Sequence, residues 1–367
     1  MTGSAMLGAG LFAKEGEYPT SPPSLPLETD WPTAHLPALV QHKANLVAVY
    51  SRSTASAQSL VTVAAGLGVQ TSNIGVYSDE QKASNQGLSD LLARSDIGSV
   101  IIALPILVQP AVVRQCLAAG KHVLCEKPIA KDVQTAVQLI KNYEKEYLPR
   151  GLVLSVAEQF RYDRAFTFAR NLVSSKIGAL RHIHARVWGN IQPGDNKWYE
   201  TEWRKSPGFQ GGFILDGGVH FVALIRYVSG LEVVQTASLF QQTYDHLPPL
   251  DTVNAGLRFN NGAAGSLSFS FASVKGNFEF IFVGAEGSVT VSGAGDAGQR
   301  VTLEDKEGKV QEEQVIDGQG VQEEVKAFLQ AAGSGKAEPR AGAREALADV
   351  AVVESVCSGG GKVESFL

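Results

Sequence analysis

Short runs of consecutive apolar residues alternate with helical patterns along the first 157 residues. The runs are rich in β-branched residues, and the segments between them space their apolar residues as helices do. Because polar positions do not interrupt the runs, we expect strands that are covered on both faces, as in a parallel sheet. About six strands are predicted, at residues 4–7, 46–50, 74–77, 100–104, 122–125 and 152–156. The pattern predicts a doubly wound parallel sheet with helical crossovers.

The pattern changes after residue 157 to longer, alternating strands with glycine-containing turns. Residues 260–262 and 284–287 are predicted hairpin turns, and residues 321–332 and 343–357 have helical periodicity. Strands are predicted at residues 180–191, 233–244, 252–259 and 264–274. Because 367 residues exceed the usual size of a single core, we predict two domains. They are an α/β dinucleotide-binding domain at 1–157 and an α+β domain with a large, mostly antiparallel sheet at 158–367.

Residues 16–34 do not fit this pattern, because they carry five prolines where the first crossover helix is expected. One interpretation is a surface loop inserted into that crossover. The other is a retained intron. The codons available to residues 16–18, 29–30 and 33–34 can spell splice-donor, branch and acceptor sequences, and nineteen codons suit a compact fungal intron.

Charge and apolar content narrow the classes of partner. The formal net charge is −5, which gives no general reason to bind nucleic acid or an anionic membrane. No apolar run reaches the length of a membrane span. Three cysteines without metal-ligand spacing are interpreted as reduced structural thiols. Because the N-terminus also lacks a secretory signal, we expect a cytoplasmic protein.

A glycine motif follows the first strand. Gly8 and Gly10, with Leu11, Phe12 and Ala13, match G-x-G-x-x-A, in which glycines allow a tight turn and close approach of a pyrophosphate. The N-terminus of the following helix attracts phosphate. These residues are therefore predicted to bind a dinucleotide.

The second strand ends beside Ser51, Arg52 and Ser53, where an NAD-specific site would place an acidic residue for the ribose. Arginine and hydroxyl groups suit a 2′-phosphate, so NADP(H) is favoured over NAD(H). The alternative for Arg52 is a solvated surface charge. The glycine motif lies 44 residues before Arg52, or 25 once residues 16–34 are subtracted, close to the expected separation.

Charged residues stand at the ends of two further strands of the predicted sheet. Glu126 and Lys127 precede Pro128 at the end of the strand 122–125, the edge at which parallel sheets bind ligands. Lys127 can donate hydrogen bonds to a substrate oxygen and to a nicotinamide ribose; a surface ion pair is the alternative. Leu104 and Pro105, at the end of the fourth strand, are further predicted cofactor contacts.

Asp216 and His220 lie behind a glycine-rich turn, at a spacing of four that places them on one face of a helix. Histidine can exchange a proton with a hydroxyl group near neutral pH, while the carboxylate orients the substrate or the imidazole. A structural pair is the alternative. No third ligand or metal motif stands nearby, so metal-free chemistry is predicted.

Together, Gly8-Ala9-Gly10, Cys125-Glu126-Lys127-Pro128 and the segment 216–220 resemble the Gfo/Idh/MocA oxidoreductases, the family of glucose-fructose oxidoreductase and inositol dehydrogenase. Residues 198, 201–204 and 207–213 resemble a fungal, NADP-dependent subgroup. The resemblance implies a Rossmann domain and a second domain whose open sheet forms homo-oligomers. It also implies catalysis by Lys127, with the D-x-x-x-H motif carried by Asp216 and His220.

The resemblance adds substrate-binding candidates. Glu158 and Arg161 stand just after the sixth strand, near the expected nicotinamide, and Trp203 and Arg204 could line the substrate pocket. The implied activity is hydride transfer between a nicotinamide and a sugar- or polyol-like alcohol or a small carbonyl compound. Lys127 would polarise the oxygen, and His220 would exchange its proton. The alternative is a catalytically silent regulatory protein of the same fold that senses NAD(P).

Overall fold

The computed structural model of the chain describes residues 2–10, residue 13 and residues 34–367. Its first sheet has six parallel strands, as predicted, and the structure gives their order as β3-β2-β1-β4-β5-β6. This is the strand order of a doubly wound dinucleotide-binding sheet. The strands are β1 (Gly3–Leu7), β2 (Leu46–Ser51), β3 (Gly75–Ser78), β4 (Ile97–Ile102), β5 (His122–Glu126) and β6 (Leu154–Ala157).

Helices cover the first sheet and explain why its strands are continuously apolar. All five residues of β1 and all four of β6 are buried. A one-sided sheet would have left alternate positions in water. The described helices between the strands are His35–Gln41, Thr54–Gly66, Leu88–Ala93, Gln109–Ala118 and Val133–Asn142. The insertion at residues 16–34 lies outside the described residues, apart from Ala34.

The second sheet has nine strands in the order β14-β13-β12-β11-β7-β10-β9-β8-β15. Its pairings are antiparallel except for β7 with β10. The strands are β7 (His182–Asn190), β8 (Val233–Gln241), β9 (Thr252–Phe259), β10 (Ala264–Ser270), β11 (Ala272–Val283), β12 (Gly287–Gly293), β13 (Gln299–Asp305), β14 (Val310–Ile316) and β15 (Gly360–Lys362). The predicted mostly antiparallel sheet is confirmed.

The strand predicted at residues 264–274 is divided in the structure. The chain leaves one side of β7 at Phe271 and returns along its other side, because β10 and β11 are the two neighbours of β7. The Phe271 side chain is buried at this crossing. The division depends on pairing with a strand some eighty residues earlier, so periodicity within the segment does not reveal it.

The later helices do not all pack on the second sheet. Helix Gly320–Ser334 returns to the first sheet, where Val325 and Phe328 share an apolar cluster with Met6 and Leu36. The other helices of this half are Arg164–Lys176, Glu202–Lys205, Phe213–Asp216, Gly218–Ser229 and Ala343–Cys357. None of the described helices has the length and apolar character needed to cross a membrane.

Candidate active site

The glycine turn after β1 fits a dinucleotide. Gly8 has φ +102°, and a Cβ there would lie 2.1 Å from the carbonyl oxygen of Ala103, so only glycine is accommodated. A Cβ on Gly10, by contrast, would meet no atom of the described residues within 4 Å, which leaves room among them for a ligand to approach the backbone. The predicted contacts Leu11 and Phe12 lie outside the described residues. The turn thus meets the steric requirement for a pyrophosphate.

The residues after β2 and β4 reach the same edge of the sheet. Ser51 ends β2 and is buried, Arg52 is exposed, and the Ser53 hydroxyl caps helix Thr54–Gly66 by accepting a hydrogen bond from the Ser56 amide at 3.2 Å. Leu104 and Pro105 follow β4 and are partly buried. In a doubly wound sheet this edge binds the cofactor.

Glu126 fixes the chain at the end of β5. One carboxylate oxygen lies 2.6 Å from Nε2 of the fully buried His35, and the other accepts a hydrogen bond from the Lys127 amide at 3.2 Å. The Lys127–Pro128 peptide bond is cis. Glu126 therefore holds the backbone from which the Lys127 side chain projects.

Asp216 holds the Lys127 ammonium group. Lys127 Nζ donates to the Asp216 carbonyl oxygen at 2.7 Å and lies 3.2 Å from Oδ1. Arg204 Nε donates to Oδ2 at 2.6 Å. Burial opposes the charge of the carboxylate, but Arg204 and Lys127 together hold the pKa of Asp216 far below its usual value. Asp216 is therefore a fixed anion.

Arg204 is itself fixed by aromatic side chains. Its guanidinium lies 4.0 Å from the ring centre of Trp203 and 5.3 Å from that of Trp198. Cation–π contacts of this kind stabilise a positively charged group that lies above the face of an aromatic ring. Trp203 thus contacts the charged cluster through Arg204, in addition to packing against Phe209.

His220 is paired with Glu158. Its Nδ1 lies 2.6 Å from Glu158 Oε1, and its ring stacks on Phe160 with centroids 4.8 Å apart. Burial would raise the pKa of Glu158, but the charges and hydrogen bond of His220, with Arg161 and Lys127, hold it below its usual value. Glu158 and His220 are 1% and 8% exposed, so the pair is largely shielded from water.

The helix predicted to carry Asp216 and His220 is broken between them. Helix Phe213–Asp216 ends, Gly217 follows, and helix Gly218–Ser229 begins. Within the described residues no hydrogen bond joins Asp216 to His220. Each has a different partner, so the structure brings together two pairs, Lys127 with Asp216 and His220 with Glu158.

Arg161 is buried and bound to a carboxylate. It donates to Asp349 Oδ2 at 2.6 Å, while Arg226 donates to Asp349 Oδ1 at the same distance. Its side chain is 3% exposed, which leaves little of it to contact a substrate. In this structure the positive charge of Arg161 helps to hold the pKa of Glu158 below its usual value.

Two buried groups near the site carry no recognisable motif in the sequence. His35 supports Glu126 from a helix that precedes it by 91 residues. Within the described residues neither carboxylate oxygen of Glu324 has a hydrogen-bond partner, and burial, followed by the charges of Glu126 and Glu158, raises the pKa of Glu324 well above the usual value. Burial therefore favours the neutral form of this carboxyl group, which spares the site a further buried negative charge.

Two family models match the chain. Residues 32–150 match an oxidoreductase family with an NAD-binding Rossmann fold, and residues 166–290 match a GFO/IDH/MocA C-terminal domain. The protein named "Dehydrogenase FPY6" of Fusarium mangiferae is 35% identical over 384 aligned positions, which cover 100% of both chains.

Solved structures extend the likeness to the whole fold. An oxidoreductase from Thermotoga maritima superimposes with a TM-score of 0.80 at 27% identity, covering 100% of this chain and 99% of its own. KijD10, a 3-ketoreductase from Actinomadura kijaniata crystallised with NADP and TDP-benzene, gives a TM-score of 0.73 at 21% identity and covers 98% and 97% of the two chains. At that identity the second likeness concerns the fold alone.

Proposed function

This chain belongs to the Gfo/Idh/MocA family of oxidoreductases, and we propose that it is an NADP(H)-dependent enzyme acting on a sugar- or polyol-like alcohol or a small carbonyl compound. The observation that supports the proposal is that Lys127 pairs with Asp216 and that His220 pairs with Glu158. Both pairs lie by the edge of the first sheet that has the glycine turn. The two pairs supply a fixed cation and a proton-exchanging imidazole, which are the groups that such a reaction requires.

The glycine turn at Gly8 and Gly10 would hold the pyrophosphate, and Ser51, Arg52 and Ser53 the adenosine end. Arg52 supports NADP(H) over NAD(H), because its guanidinium can bind a 2′-phosphate through two hydrogen bonds. Leu104, Pro105, Glu126 and Lys127 would lie along the nicotinamide half. When bound, the nicotinamide supplies or accepts the hydride, while the protein supplies position and electrostatics.

Lys127 is the group that polarises the substrate oxygen. An ammonium group has three N–H donors, and Asp216 accepts two of them. The third is available to a carbonyl or hydroxyl oxygen. Because Asp216 remains ionised, Lys127 has a permanent counter-ion, and its positive charge stabilises an oxygen that becomes negative during the reaction.

His220 exchanges the proton. With Glu158 ionised, Nδ1 carries a hydrogen and donates it to Oε1. No described residue forms a hydrogen bond with Nε2, so that nitrogen can take a hydroxyl proton or return one. Glu158 fixes the ring orientation and stabilises the imidazolium that forms when Nε2 takes a proton. In this proposal Glu158 has the orienting role for the imidazole, and Asp216 has it for Lys127.

The open face of the second sheet supports a homo-oligomer. Leu239 on β8 is 81% exposed, and its neighbours on that face include Asn254, Ser266 and Ser268. A large, exposed apolar side chain beside these small polar residues suits a contact with a second copy of the chain.

A fluorescence titration with NADPH, followed by NADPH consumption across a panel of aldehydes, ketones and keto-sugars, tests the proposed function. We expect saturable binding and consumption with at least one member of the panel. Saturable binding without NADPH consumption in the presence of any carbonyl compound would favour a regulatory protein that senses the cofactor.

Titration of a variant lacking residues 16–34 would separate the loop interpretation from the intron interpretation, since removal of a translated intron should tighten NADPH binding.

A further inference from the structure

A carboxylate occupies the start of the helix that follows β2. Glu80 Oε2 accepts a hydrogen bond from the Thr54 amide at 2.9 Å, and Thr54 is the first residue of helix Thr54–Gly66. The Thr54 and Ser78 hydroxyls lie 2.8 Å apart and join the ends of β2 and β3 beside this contact. Glu80 therefore uses a helix N-terminal amide that would otherwise be free to bind an anion.

Arg52 stands two residues before Thr54. Its side chain is exposed, and no hydrogen bond or ion pair within the described part of the chain holds its guanidinium. The predicted adenosine site thus has the Arg52 guanidinium, which no described residue binds, on one side. On the other side it has the Glu80 carboxylate, which already accepts a hydrogen bond from the helix N-terminus.

Arg52 and Glu80 have opposite effects on the binding of a 2′-phosphate, which NADP(H) has and NAD(H) lacks. The 2′-phosphate of NADP(H) is attracted by Arg52, but it meets the negative charge of Glu80 and competes for the Thr54 amide. The free 2′-hydroxyl of NAD(H) carries no charge and can donate a hydrogen bond to a carboxylate. Arg52 alone would give a strong preference for the phosphorylated cofactor, and Glu80 reduces it.

We propose that Glu80 is a specificity-determining residue that discriminates against the 2′-phosphate, so that the chain binds NADH as well as NADPH. The inference rests on the proposed nicotinamide-dependent function. It concerns the balance between the two cofactors, which Arg52 and Glu80 set together.

The test measures dissociation constants for NADPH and NADH by fluorescence, without substrate, in the full-length protein. Glu80→Gln removes the charge and keeps an acceptor for the Thr54 amide, whereas Glu80→Ala also frees the amide. We expect Glu80→Gln to tighten NADPH binding about tenfold and leave NADH binding equal or weaker. Glu80→Ala should tighten NADPH binding further.

Asp90→Asn is the matched control, because Asp90 also places a carboxylate on a helix N-terminal amide, but on that of Gly87 at 2.9 Å and not on that of Thr54. It should leave the ratio of the two dissociation constants unchanged. A ratio in both Glu80 variants within twofold of the wild-type value would overturn the inference. Absence of binding of either cofactor to the wild-type protein would instead refute the proposed function.

Discussion

Replacement of Asp216 by asparagine tests whether this carboxylate holds the cations of the site. Asp216 is 6% exposed, and Lys127 and Arg204 contact its two carboxylate oxygens. Asparagine keeps the shape but removes the charge, which leaves two cations buried beside each other. Removal of one partner from a buried ion pair costs about 3–5 kcal/mol of unfolding free energy. We expect a loss near the lower end, about 3 kcal/mol, because asparagine retains one acceptor oxygen.

Urea denaturation at several pH values measures this loss. The pKa of Asp216 is lower in the folded chain than in the unfolded chain, so its contribution is complete above the usual pKa of aspartate and is lost as the pH falls below it. The difference between wild type and Asp216→Asn should therefore be largest near neutral pH and should shrink below about pH 4. Thermal denaturation should show a melting temperature lowered by roughly 4 °C.

Asp96→Asn is the control for this experiment. Asp96 binds Arg94 through two hydrogen bonds at 2.7 and 3.0 Å, but its side chain is 56% exposed. A solvated ion pair of this kind contributes less than about 1 kcal/mol. If Asp216→Asn were no more destabilising than Asp96→Asn, Asp216 would not be the anion on which the buried cations depend.

Three further predictions concern other parts of the molecule. Glu158→Gln should lower turnover about 100-fold, because the imidazolium that forms when Nε2 takes a proton loses its counter-ion; turnover within twofold of the wild-type value would refute the role of the pair. Burial raises the pKa of Asp163 from 3.8 to about 6, so the contribution of Asp163 to the free energy of unfolding should fall as the pH rises through that window. Asp163→Asn should remove this slope in urea denaturation, and a retained slope would contradict the assignment. Leu239→Asp should reduce the mass measured by light scattering to that of a monomer, whereas an unaltered multimer would show that the contact lies elsewhere.

The sequence predicted the first sheet well, because its signal is local. The predicted strands overlap all six observed ones, with β1 at Gly3–Leu7 against a prediction of residues 4–7. Helix Ala343–Cys357 matches its predicted range. In both cases the segment is buried enough and long enough that its apolar pattern identifies the element without knowledge of the residues that pack against it.

The pairing within the candidate site was less accessible to sequence reasoning. A spacing of four suggested that Asp216 and His220 share one helical face, but the chain bends at Gly217, where a Cβ would lie 2.8 Å from the ring of Phe271. The two helices are thus separated at a glycine that packs closely against the link between β10 and β11. Glu158 could have been found as the partner of His220 only from its place directly after β6, at the edge where ligands bind.

Other contacts depend on residues that are far apart in the chain. His35 reaches Glu126 across 91 positions, and helix Gly320–Ser334 places Glu324 behind the first sheet. Neither segment has a sequence motif that indicates which residues it contacts. Such contacts arise from tertiary packing, which a single sequence does not encode in its local periodicity.

Replacement of Lys127 by alanine tests whether this residue polarises the substrate oxygen, with NADPH binding and NADPH consumption measured on the same preparation. We expect turnover to be abolished while the dissociation constant for NADPH stays close to that of the wild type, because Lys127 acts on the substrate oxygen and other residues hold most of the cofactor. Undiminished turnover in this variant would remove Lys127 from the mechanism.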